Sequence, residues 1–414
     1  MKSKVGSESL RLAEKGFIIL GLSFFTGVFG VHSLALVLPN AVVTLIRFFV
    51  WGMSTLLVGI LWKSTIIILS RNVLLCILTA LAYLSFAWSE FPDYTLFNAR
   101  DILMMTSFGL YFATRFSFKE QVQLVAITLL IGCFLSTIVA LGFPEIGLHG
   151  LDEVESHPGA WKGVYGHKNF LGSMMVLNSV AFFLQPKENP LIYRYAGLSF
   201  SLVLMLLSTS KTSLVLSFLL LSIIIFYQNF RWQGKISVIF TDIAILIGGC
   251  VLVLLLTYWV ELLTGLGRDP SLTGRTFIWG YALTRLMERP LLGYGRGAFW
   301  APGSEYAVEA GQAIGTSWIP PHAHNGIVDL SLDVGLIGLA LFLIIYFTAF
   351  VQALKLAYAT KKPEDIWPFA YLTFLAMNNV TESCLLLSAN VYWVLFITVV
   401  FTINQKSKFK KLTI

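Results

Sequence analysis

The chain has 414 residues, of which 57% are hydrophobic and 12% charged, and it carries a net charge of +7. Its mean hydropathy of +0.77 and its repeated apolar runs exclude a water-soluble enzyme, because about 20 apolar residues in a helix suffice to cross the hydrocarbon core. The basic residues are spread over many loops instead of forming one patch, which argues against a nucleic-acid surface.

Runs near spanning length centre on roughly 16–31, 41–61, 70–88, 101–117, 121–143, 169–185, 191–208, 212–230, 237–260, 327–354, 366–383 and 385–404. Backbone groups in lipid must bond within their own segment, so the runs predict an all-α polytopic bundle of about 12 transmembrane helices. Lysine and arginine set its orientation. With a cytoplasmic N-terminus, the inside segments hold Lys2, Lys4, Arg11, Lys15, Lys63, Arg115, Lys119, Lys187, Arg194, Arg231, Lys235, Lys355, Lys361, Lys362 and the tail lysines 406, 408, 410 and 411. The outer turn near 32–40 has none, and this positive-inside bias predicts both termini in the cytoplasm. The basic leader 1–15 reads as the start of an uncleaved first span. Cys76, Cys133, Cys250 and Cys384 lie in or beside apolar runs without ligand spacing, and read as small core residues.

Short connections make residues 1–414 one membrane domain, interrupted by two outer loops. The smaller, about 144–168, carries acidic Asp152, Glu153 and Glu155, then runs from Trp161 through Gly163-Val-Tyr-Gly-His-Lys-Asn169. The larger, about 261–326, predicts a surface helix over 271–289, capped by Ser271 or Thr273 and stopped by Pro290. Glycine turns at 293, 295 and 297 and an aromatic-rich segment lead back to His322 and His324. Two histidines so close make no metal motif.

His324-Asn325 is the most informative pair, because it sets an imidazole and an amide where a polar loop re-enters lipid. A polar group there is costly and points to chemistry. An imidazole near neutrality can accept a hydroxyl proton, and a place in the first helical turn would help to keep it neutral. The competing reading is an interfacial rim group with Asn325 as the true cap.

Nine basic residues fall on the outer side: Arg100, Lys162, Lys168, Lys211, Arg268, Arg275, Arg285, Arg289 and Arg296. Five are arginines of the larger loop, whose planar guanidinium suits phosphate. Ordinary pairing with Asp269, Glu288 or Glu305 would account for Arg285 or Arg289 better than for Arg275. Lys211 sits in a tight outer turn, where snorkelling to head groups is an equal explanation. His167 and Lys168 open a helix whose N-terminus could hold an anion, and Glu382 is a carboxylate at an outer span boundary.

Together these residues resemble the O-antigen ligase / polysaccharide polymerase superfamily of bacterial inner membranes. His324-Asn325, nine residues, Gly335-Leu-Ile-Gly338 matches that family's signature without a gap. Leu272-Thr-Gly-Arg275-Thr276 stands where the family carries an arginine in its large periplasmic loop. Trp88-Ser-Glu-Phe-Pro92 and Gly163 to Asn169 resemble further family blocks, the latter more typical of exopolysaccharide polymerases. The resemblance extends over roughly 80–400. It departs at Lys211, where the family often has arginine; lysine keeps the charge and loses the fork, which Lys168 or Arg268 could cover.

The resemblance implies a glycosyltransferase of the membrane-embedded C type that needs no metal or cofactor and moves a glycan from an undecaprenyl-pyrophosphate carrier to an acceptor hydroxyl at the periplasmic face. His324 would deprotonate the acceptor, Arg275 and Lys211 would neutralise the departing diphosphate, and Asn325, Lys168, His167, Arg268, His322 and Glu382 would line the substrate site. Polymerisation of O-antigen or exopolysaccharide and ligation to lipid A core are close variants. A transporter resembling the superfamily's proposed bicarbonate-uptake members is the alternative, disfavoured because polar chemistry gathers in one outer loop system.

Overall fold

The computed structural model describes residues 2–29, 38–150, 158–229, 274–315, 318–360, 362–380 and 382–409. It is all-helical among these residues, with one isolated antiparallel bridge between Leu148 and Trp161. The expected span at 237–260, Cys250, Arg268, Asp269, the acidic residues Asp152, Glu153 and Glu155, and the expected caps Ser271 and Thr273 lie outside the described residues.

The first half of the chain forms α1 (Lys2–Phe25), α2 (Asn40–Ile60), α3 (Trp62–Arg71), α4 (Val73–Leu84), α5 (Pro92–Arg115) and α6 (Phe118–Gly142). The run expected to cross at 70–88 is broken at Asn72, where Trp62–Arg71 and Val73–Ala87 meet at 92°. α6 begins at a capping box in which the Ser117 hydroxyl accepts the Glu120 amide and the Glu120 carboxylate accepts the Ser117 amide.

The second half supplies α7 (Lys168–Phe183), α8 (Leu191–Leu207), α9 (Lys211–Asn229), α10 (Arg275–Leu286), α11 (Glu305–Gln312), α12 (Gly326–Ala359), α13 (Trp367–Asn378) and α14 (Val391–Phe409). α7 is sheathed by α6, α8 and α9. Small residues let these neighbours close in, as expected where lipid supplies no hydrophobic drive between helices. A Cβ on Gly172 would stand 2.4 Å from the Ser213 hydroxyl, and one on Gly197 would stand 2.2 Å from the Phe182 ring.

By length and composition α2, α6, α9 and α12 can each cross a membrane, and the bent α3–α4 pair makes a fifth if it counts as one span. The main core runs through the whole bundle. A second, smaller core joins Ile278, Ala282 and Leu286 of α10 to Tyr294, Ala298, Phe299, Ala323 and the first turns of α12 at Val328 and Leu332. It fixes α10 and the segment 294–299 against the mouth of α12.

α12 is not one straight helix. Gly335 has φ 67° and ψ −173° inside it, and the segment 290–294 docks in the break. There Leu336 N–H donates to Pro290 O at 2.7 Å and Tyr294 N–H to Leu332 O at 2.7 Å. A Cβ on Gly335 would meet Leu291 O at 2.1 Å. The first glycine of the Gly-x-x-Gly element is therefore required by backbone conformation and by close approach.

Candidate functional site

α10 begins at Arg275. Its N-cap is Gly274, with φ 84° and no side-chain capping bond, instead of the expected Ser271 or Thr273. The left-handed turn suits glycine, and a Cβ would also strike Ile314 at 2.1 Å. The turn delivers the Arg275 guanidinium to Glu382, with Nη2 3.7 Å from Oε1.

His324 reaches the same carboxylate from the opposite side, its Nδ1 3.9 Å from Glu382 Oε2. The histidine does not sit in the first turn of α12, as the sequence suggested. It stands one residue before the cap, with φ 52°, and Asn325 takes the capping role by accepting the Ile327 and Val328 amides at 3.0 and 3.3 Å. The Asn325 side-chain oxygen is thereby committed to the helix, which weakens its expected part in binding substrate.

Asp329 holds this strained loop in place. It accepts the Trp300 indole N–H at 2.8 Å and the Ala323 amide at 3.0 Å, and its second oxygen accepts the Ser383 hydroxyl. Trp279 donates to Ala323 O at 2.7 Å. One buried carboxylate thus ties the His324 loop, the aromatic segment and the Glu382 loop together. Sequence reading passed over it, although carboxylates at 329 and 333 inside an apolar run were a signal of their own.

His322 stacks edge-on to His324 with ring centroids 4.2 Å apart, and its Nδ1 accepts the His324 amide at 3.2 Å. Burial, followed by the neighbouring His324, pushes its pKa down to about 3, with Arg275 acting the same way and Glu382 opposing. His322 is a neutral partner, not a base of ordinary strength. Burial pulls Glu382 upward, but its contact with His324 and the Arg275 charge outweigh this and hold the carboxyl below its usual value.

The 166–169 turn is arranged differently from the expected anion site. His167 caps α7 by accepting the Asn169 amide at 3.2 Å, and the Lys168 amide donates to His149 Nε2 at 3.1 Å. Two of the helix-end donors are therefore spent on imidazoles. Lys168 is itself buried. Asn169, which was not singled out, carries the turn into the site: its Nδ2 donates to Glu382 Oε1 at 3.3 Å, and its Oδ1 accepts the Ser210 hydroxyl at 3.4 Å. Lys211 follows Ser210 as the exposed first residue of α9, so its turn is linked to Glu382 through one amide.

The other described arginines of this loop are committed elsewhere. Arg285 pairs with Glu288 at 2.6 Å and Glu309 at 2.8 Å, Arg289 with Glu90, and buried Arg296 with Asp333 at 3.3 Å. The expected pairing of Arg285 with Glu288 is present, and Arg275 alone of these four reaches the His324 carboxylate partner. Among the described residues no cluster of three or more histidine, cysteine or acidic side chains suits a metal ion.

These features define an all-helical membrane protein with a polar site at the mouth of a broken helix. Residues 196–343 match the O-antigen ligase family model, a stretch that contains Lys211, Arg275, His322, His324 and both motif glycines. This part of the chain is thus similar to the O-antigen ligase family, in agreement with the resemblance read from the signature residues. The exopolysaccharide production protein ExoQ of Rhizobium meliloti is 33% identical over 127 residues, 30% of this chain and 29% of that protein. A Rickettsia conorii protein, named as a candidate polysaccharide ligase, is 38% identical over 85 residues, 19% of each chain. A similarly named Rickettsia bellii protein is 39% identical over 80 residues, 18% of each. The matched stretches span less than a third of the length of these curated relatives.

Proposed function

We propose that the protein is a glycosyltransferase of the bacterial inner membrane, a bundle of about 12 spans with both termini cytoplasmic. It moves a glycan from undecaprenyl pyrophosphate to an acceptor hydroxyl at the periplasmic face, in polymerisation or ligation of O-antigen or exopolysaccharide. The observation that carries this reading is the meeting of His324 and Arg275, from separate segments, on the two oxygens of Glu382.

In this mechanism His324 takes the acceptor proton, the freed oxygen attacks the anomeric carbon, and the carbon–oxygen bond to the diphosphate breaks with its electron pair leaving on the lipid. Arg275 and Lys211 neutralise that departing charge, with Arg268 a further cation of the same loop. Diphosphate is already a good leaving group, so fixed cations in a partly dry site supply the stabilisation the step requires without a metal. His322, His167, Lys168 and Asn325 shape the surround more than they contact phosphate, since their ring nitrogens, amide or oxygen serve local structure. Family membership of the 196–343 segment and the polysaccharide names of its relatives support the same reading.

Cells carrying Arg275→Ala should accumulate lipid-linked repeat units and lose long polymer, measured by lipid extraction and polymer gel profile. Polymer of unchanged length would reject the role of Arg275 at the diphosphate.

A further inference from the structure

Glu382 stands between the two side chains that the proposed reaction uses, and a carboxylate is an odd neighbour for an incoming diphosphate. We propose that Glu382 is a positioning residue for His324: it receives the imidazole Nδ1–H and so fixes the tautomer that leaves Nε2 free for the acceptor proton. This rests on the transferase reading above and assigns Glu382 to the base instead of the substrate.

Three observations carry it. First, His324 Nδ1 is buried and makes no hydrogen bond to a described group, while Glu382 Oε2 lies 3.9 Å away. A small rotation of either side chain closes that gap, as happens when loose apo contacts tighten on substrate binding. Second, the other oxygen is already held, by Asn169 Nδ2 at 3.3 Å and Arg275 Nη2 at 3.7 Å, which turns Oε2 toward the imidazole. Third, the loop beneath is pinned. Glu382 N–H donates to Asn378 O at 3.0 Å, the Ser383 hydroxyl to Asp329, and Cys384 N–H to Asn379 Oδ1 at 3.0 Å.

The other charged or titratable groups around the imidazole have different duties. Arg275 approaches from α10 and binds the far oxygen of Glu382. His322 accepts the His324 backbone amide, and His167 caps α7. Asp329 spends its oxygens on Trp300, Ala323 and Ser383. Glu382 is the one of these that faces Nδ1. During the step the proton moves from the acceptor hydroxyl to Nε2 and stays there. The carboxylate remains ionised and stabilises the imidazolium, the division of labour seen wherever an acid orients a histidine base.

The test uses the full chain in lipid nanodiscs with undecaprenyl-pyrophosphate-linked repeat units extracted from host membranes. Glu382→Gln should lower kcat on the order of 10²-fold with the donor KM little changed. With the adjacent anion gone, nothing on that side favours the protonated imidazole, so the acid limb of the rate profile should move to lower pH. Glu382→Asp should keep the limb near its original place and recover part of the rate. A Glu382→Gln rate within threefold of the parent, an unmoved acid limb, or a raised donor KM with unchanged kcat would each overturn the positioning role. His324→Ala run in parallel separates the layers: if it is inactive while Glu382→Gln behaves as the parent, only the positioning role fails. If His324→Ala turns over normally, the base assignment beneath it fails.

Discussion

Two helices of this protein open behind a histidine, and the two histidines are used in opposite ways. At α7 the imidazole of His167 is itself the cap, accepting the Asn169 amide at 3.2 Å. At α12 the cap is delegated to Asn325, whose oxygen accepts two amides, and His324 is displaced one residue outward into a left-handed conformation. A cap consumes the lone pair that a base needs. Adding an asparagine after the second histidine relieves it of that duty and turns its ring toward Glu382. The same dipeptide start, histidine before helix, thus yields a structural group in one place and a reactive candidate in the other.

The largest expected effect breaks this comparison at its reactive end. A positioned general base contributes about 10²–10⁴-fold to rate, so His324→Ala should reduce polymer formation by that order. Folding should survive, because His324 Nδ1 makes no hydrogen bond to a described group. Size-exclusion profile and thermal unfolding of the purified variant read folding, and glycan transfer reads rate. Activity near the parent level would return His324 to the class of rim groups.

Much of this contrast was legible in the sequence, and the parts that were not share one cause. The block from His324 to Gly338 is local: a cap, a helix and a glycine break are written within fifteen or so residues, so chain spacing alone points to it. Arg275 was legible for the same reason, standing at the start of a patterned helix. Asp329 was not weighed, because its partners Trp300 and Ser383 come from segments that only folding brings together. The helix end at 166–169 shows the reverse case. Its donors are visible in sequence, but His149, which takes the Lys168 amide, lies nineteen residues earlier in the chain. Counting donors at a helix end predicts a binding site only when the groups that will fill them are also known.

A middle-sized effect sharpens the comparison at the delegated cap. Asn325→Ala removes the acceptor of two amides and should cost about 1 kcal/mol of stability. It also frees the turn that sets His324, so transfer should fall, though less than in His324→Ala. Asn325→Asp keeps an acceptor oxygen and should restore the melting temperature. If Asn325→Ala left stability unchanged yet abolished transfer, the amide would be meeting substrate directly and the capping account would be incomplete.

The smallest effect lies at the other histidine. His167→Ala removes a cap and an edge-on ring contact with His149, whose centroid is 5.2 Å away. The expected loss is about 0.5–1 kcal/mol, seen as a modest drop in melting temperature of the detergent-purified protein. Transfer should stay within about threefold, because a lost cap costs roughly a kcal/mol and not a proton acceptor. The variant is informative because Asn169, which His167 caps, also donates to Glu382 at 3.3 Å. Should His167→Ala suppress transfer as deeply as His324→Ala, the α7 mouth would have to hold substrate itself, and the division between a capping histidine and a working one would collapse.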